Sequence, residues 1–67
     1  MNIDIRTNII NNFKNTDIQE IKSAIEESIK DNNELTLPGL GVFFELLWNN
    51  SDNNLKQQII ENIKRGL

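Results

Sequence analysis

Residues 36–48 read TLPGLGVFFELLW, and how this stretch folds decides the architecture of the chain. It holds the only proline, two of the three glycines, two of the three phenylalanines and the only tryptophan. As a helix from Pro38 onward, Pro would stand at a first helical position, where its missing N–H has no partner to lose. At 100° per residue Gly41, Glu45 and Asn49 then line one narrow stripe, and Leu40, Val42, Phe43, Phe44, Leu46, Leu47 and Trp48 fill the rest. A helix apolar over so wide an arc has to be covered on several sides. As a strand, Leu40, Val42, Phe44, Leu46 and Trp48 would share one face. Leu35-Thr36-Leu37 would then supply the second arm of a hairpin turning at Pro38-Gly39. Periodicity fits both readings. The Leu and Glu content favours the helix, and a lone hairpin is barely stable in water.

The flanking segments are helical by pattern. From Asp4 to Lys14, Ile5, Ile9, Ile10 and Phe13 recur on one face, and Asp4 sits at the positive end of the helix dipole. The Asn residues at 11, 12 and 15 predict an end near Phe13. Ile18, Ile21, Ile25 and Ile29, with Ala24, form a second stripe, ended by Asp31-Asn32-Asn33. Thr16 with Gln19 three residues on reads as its capping box. Leu55, Ile59 and Ile63, with Ile60, form the last stripe, with Ser51 as N-cap and Lys64, Arg65 and Gly66 at its end. Pro38, Gly39 and Gly41 are read as a structural turn, Gly39 at positive φ and Gly41 at a close backbone approach. The expected fold is all-α, one domain over 1–67, a small bundle of about four short helices. The alternative is α+β with a short hairpin at 35–46.

With 67 residues the chain hides only about 60% of its unfolded surface, and domains of this size ordinarily need a staple. There is no Cys and no His, so disulfides are impossible and the usual zinc ligands are missing. Tight helix packing and self-association remain. Between Lys30 and Lys56 there is no positive charge, so the most apolar stretch is also base-free. The expectation is a homodimer sealed by the 37–48 block, with Leu40, Phe43, Phe44, Leu47 and Trp48 as core or interface anchors.

Several functions are disfavoured by chemistry. Without His or Cys the usual general base and the strongest nucleophile are absent, so no catalytic residue and no enzyme is expected. Glu45, the one charge inside the apolar block, has two readings: a functional acid or partner contact, or an open stripe position. Pro38-Gly39-Leu40-Gly41 lacks the Lys and Ser/Thr of a phosphate loop. No cofactor, metal or small-molecule substrate is expected. Ten acids against seven bases give a net charge of -3, which disfavours nucleic acid and anionic membrane as partners. No apolar run approaches the roughly 20 residues of a membrane span. The opening MNIDIRTN has no basic stretch followed by an apolar one, so the chain is expected to stay inside the cell.

Leu37-Pro38-Gly39-Leu40-Gly41-Val42, then Phe44-Glu45 and Trp48, read as LPGLGV-x-FE-x-x-W. This motif, the opening Met-Asn-Ile-Asp-Ile-Arg and the overall length resemble the I-type minor small acid-soluble spore proteins of endospore-forming Firmicutes. Phe43, where a smaller aliphatic is common, and Ser51, where Ala is common, are mild departures. The resemblance implies synthesis in the forespore during sporulation and residence in the spore core, with no defined biochemical activity. The chain lacks the glycine-rich segments and the protease site of the DNA-coating α/β-type spore proteins, so DNA protection does not carry over. A weaker likeness, two helices before Leu-Thr-Leu-Pro-Gly-Leu-Gly-Val-Phe, is to the front half of histone-like HU proteins. Leu40 stands there in place of an aromatic and the basic arms are missing. Three hypotheses follow: a non-enzymatic structural or interaction protein of the spore core, a nucleoid-associated DNA binder with an HU-like hairpin, and a small regulator that covers a partner's helix with its 40–48 face.

Overall fold

A computed structural model describes residues 4–67; residues 1–3, the start of the Met-Asn-Ile-Asp-Ile-Arg stretch, lie outside it. Among the described residues every regular element is helical. Four α-helices follow one another: α1, Ile5–Phe13; α2, Ile18–Asp31; α3, Leu37–Asn49; and α4, Asn53–Gly66. A single 3-10 turn, Glu34–Thr36, leads into α3. The helical reading of 36–48 holds, and the hairpin at 35–46 does not form. The physical reason is burial. As a helix the block points residues at two neighbours at once, whereas a lone two-stranded ribbon would present only one face to the remaining helices.

The boundaries are set by short polar side chains. Asp4 caps α1, its carboxylate accepting from the Thr7 N–H at 3.0 Å and from the Thr7 hydroxyl. Hydrogen bonds from Thr7, its hydroxyl first, hold the Asp4 carboxyl below the ordinary carboxylate value, and the Arg6 charge adds to this. The cap of α2 is Asp17, which accepts from the Glu20 N–H at 2.8 Å, not Thr16 as the capping-box spacing indicates. Thr16 instead donates to the Phe13 carbonyl at 2.8 Å and closes α1. The junction before α4 repeats the arrangement. Asp52 caps α4 through the Leu55 N–H at 2.8 Å, and Ser51 turns back to donate to the Leu47 carbonyl. An ionised carboxylate is the stronger acceptor for an orphan N–H, and a hydroxyl, unlike a carboxylate, has a proton for an orphan carbonyl. Thr-Asp and Ser-Asp therefore each end one helix and start the next. The Asn after α2 does a third job: Asn32 takes the left-handed conformation, φ 52, and its N–H returns to the Ile29 carbonyl.

The turn expected at Pro38, Gly39 and Gly41 is absent: all three lie in the first turns of α3, and no described glycine has positive φ. Pro38 fits the first helical turn, where its missing N–H costs nothing. Gly39 faces α1, where an added Cβ would stand 3.6 Å from Ile9 Cδ1, an ordinary contact. Gly41 has nothing within 4 Å. The close approach read into Gly41 is thus missing.

α3 is the hub, packed most extensively on α1 and also on α2 and the 3-10 turn. Val42 is the one described residue buried to the core standard, at 5% exposed. Phe43 meets Phe13 edge to face, with ring centroids 5.1 Å apart, which locks α3 to the end of α1.

Two outcomes test this description. Gly41→Ala should raise the thermal midpoint by the equivalent of roughly 0.5–1 kcal/mol, because a helical glycine loses backbone entropy with nothing gained. Gly39→Ala should also be neutral or stabilising in thermal unfolding; a marked loss would contradict its helical placement. Asp4 gives the second. Its folded pKa lies below its unfolded one, so its contribution is complete above about pH 4 and is lost as pH falls through the lowered value. Asp4→Asn keeps a capping oxygen but cannot titrate. Wild type should therefore exceed this variant in thermal midpoint at neutral pH, with the gap closing in acid.

Candidate functional site

The surface left by this packing is unusually apolar for so small a chain. Among the described residues thirteen large hydrophobic side chains remain exposed, from Leu46 at 38% to Leu67 at 93%. Five of them, Ile10, Phe44, Leu46, Leu47 and Ile60, line two regions. One is an apolar groove of about 380 Å³ where α1, α2 and α3 meet, with Ile9, Ile10, Phe13, Ile21, Leu46 and Leu47 in its walls. The other lies between α3 and α4, where Phe44, Trp48 and Ile60 line a depression of about 440 Å³ with Glu45 and Asn49 at its edge.

The five residues expected as core or interface anchors part company here. Leu40 and Phe43 are half-buried, and Phe43 is engaged by Phe13 within the chain. Phe44 and Leu47 are exposed. Trp48 is half-buried and stacks on Phe44 one turn earlier, centroids 5.8 Å apart at 26°. Lys56, in the first full turn of α4, places its ammonium 5.2 Å from the Trp48 ring centroid. This cation–π contact is the most specific tie between α3 and α4, and sequence reading had no means of finding it, because Lys56 looked like an ordinary solvated base.

Glu45 has a structural partner. Its carboxylate accepts from Arg6 Nε through both oxygens, at 3.0 and 3.1 Å. The hydrogen bond to Glu45, and then the Glu45 charge, raise the Arg6 pKa further above its already high value. The pair joins α1 to α3 across 39 residues of sequence, so no local spacing rule could have signalled it. Both side chains are open to water, 67% and 45% exposed, so the pair sets orientation more than it adds stability.

No group of three or more His, Cys, Asp or Glu lies close enough among the described residues to hold a metal ion. Among the described residues no helix is long and apolar enough to cross a membrane. What the surface offers chemically is area for apolar contact, with fixed charges at the margins.

This defines a small helical protein whose distinctive feature is an uncovered apolar surface. A family model described as "Small, acid-soluble spore protein I" matches residues 3–67. The chain is similar over its full length to the Small, acid-soluble spore protein I of Halalkalibacterium halodurans, 39% identical over 67 residues and covering 98% of that relative. It is 33% identical to those of Bacillus cereus and Bacillus anthracis, covering 97% of each. The chain belongs to the family of small, acid-soluble spore proteins I, and it is a spore protein. No solved structure matches it.

Glu45→Gln should lower the thermal midpoint slightly in low salt. The difference from wild type should shrink as salt screens the Arg6–Glu45 pair. A difference independent of salt would mean that Glu45 acts through something other than this charge.

Proposed function

We propose that this chain is a non-enzymatic structural component of the spore core, made in the forespore during sporulation, that works through protein–protein contact and first of all through self-association. The observation that carries the reading is the apolar surface: Phe44, Leu46, Leu47, Leu55, Ile60 and Ile63 are all at least 38% exposed in a chain with one buried core residue among those described. Contiguous exposed apolar patches mark contact surfaces in soluble proteins. Family membership supports the spore setting. The missing His and Cys, and the lack of any cluster of three or more carboxylates among the described residues, support a role without chemistry.

The nucleoid-associated reading loses its structural basis, because the segment that would form an HU-like hairpin is the 3-10 turn and helix α3. The net charge of -3 points the same way.

Two measurements test the proposal. A reporter fused to the full chain should appear only in the forespore and remain in the core fraction of purified spores. A mother-cell or coat location would refute the assignment. In gel shifts at about 50 mM salt the purified chain should leave duplex DNA unretarded. A shift that weakens steeply with salt would restore the DNA-binding reading.

A further inference from the structure

The chain exposes 5949 Å². A folded monomer of 7.8 kDa exposes roughly 4,400 Å² by the usual scaling with mass. The excess is on the order of 1,500 Å² per chain, so a pair of copies has about 3,000 Å² to hide, the size of an obligate homodimer interface. Part of the excess lies where α4 packs lightly on the rest of the chain. α4 carries one of the two clearest amphipathic patterns in the chain, yet it packs only lightly on the rest of the molecule, through half-buried Ile59, through Lys56 on Trp48 and beside Ile60. Leu55, Ile60 and Ile63 stay 41%, 48% and 44% exposed. The groove between α1, α2 and α3 is lined by apolar side chains and Lys14, with no residue of α4 among them.

Charge is divided along the same line. Residues 53–67 carry three bases, Lys56, Lys64 and Arg65, against one acid, Glu61, a net +2. Residues 1–52 carry four bases against nine acids, a net -5. Pairing α4 with α4 would bring like charge together. Placing α4 of one copy on the three-helix body of another sets a net-positive helix on a net-negative body, with Lys14 the one charge in the groove itself.

We propose that two copies of this chain pair by reciprocal exchange, each seating the Leu55, Ile60 and Ile63 stripe of its α4 in the groove between α1, α2 and α3 of the other. The arrangement is isologous, so one contact made twice closes the dimer. It rests on the self-association proposed above and specifies its surfaces. Leu46 and Leu47 line the receiving groove, and Lys56 and Trp48 hold the base of the exchanged helix.

Sedimentation equilibrium of the full chain from about 1 to about 200 µM reads the mass directly, and should give a dimer. Ile63→Asp removes the inserting surface and Ile10→Asp the receiving one. Both positions are solvent-exposed within the single chain, so circular dichroism should show helix content retained. Each variant alone should dimerise more than about tenfold more weakly. An equimolar mixture should recover mixed dimers in native mass spectrometry, because the intact α4 of one variant meets the intact groove of the other. Ile63→Ala and Ile10→Ala should repeat the pattern more weakly, and they decide the matter if either aspartate variant loses its helices. A wild-type monomer at every concentration overturns both this arrangement and self-association, leaving a helix of a different protein as the occupant. A dimer indifferent to both substitutions, or a mixture that stays monomeric, overturns the exchange alone.

Discussion

The third helix has more apolar surface than its own chain can cover, and the rest of the structure is arranged around that imbalance. Leu40, Val42, Phe43, Phe44, Leu46, Leu47 and Trp48 surround nearly the whole helix axis. α1 and α2 together cover part of it, burying Val42 and engaging Phe43 against Phe13. Phe44 on one side, and Leu46 and Leu47 on another, stay exposed. A small domain has too high a ratio of surface to volume to surround a central helix completely. The remaining stabilisation has to come from outside the chain or be forgone.

The linkers show how little backbone is spent on joining the helices. Thr16-Asp17 and Ser51-Asp52 each end one helix with a hydroxyl and begin the next with a carboxylate. Such junctions satisfy orphan groups on both sides within two residues, which matters in a chain with no cysteine to staple its turns. Fixed turns in turn restrict where α4 can go. With Asp52 as its cap, α4 departs from the end of α3 and leaves the groove on the far side of α1 and α2 open.

For a spore protein this surface has a plain physical reading. Its area suits apolar contact, and two of the charges near it are engaged within the chain, Arg6 with Glu45 and Lys56 over Trp48. Neither arrangement is built to move a proton or hold a phosphate. In the proposed dimer the division between an acidic body and a basic last helix would favour unlike parts of the chain meeting.

Much of the architecture was legible in the sequence, because it is local. The isoleucine stripes, Asp4 at the head of α1, Asn32 at the end of α2 and the basic end of α4 each follow from side-chain periodicity and helix-end chemistry within a few residues. Local rules failed where two neighbours competed for one role, as Thr16 with Asp17 and Ser51 with Asp52. They failed again at Pro38-Gly39, where the same dipeptide serves a turn or a helix start. The candidate site was legible only as an apolar block. Which of its faces is spent inside the chain depended on Phe13 and Arg6 arriving from 30 and 39 residues away. The sequence by itself thus determined that there would be helices and that the middle one must be covered. Only the tertiary structure decided which side stays open, because that follows from the directions in which neighbouring helices pack and no spacing along the chain encodes it.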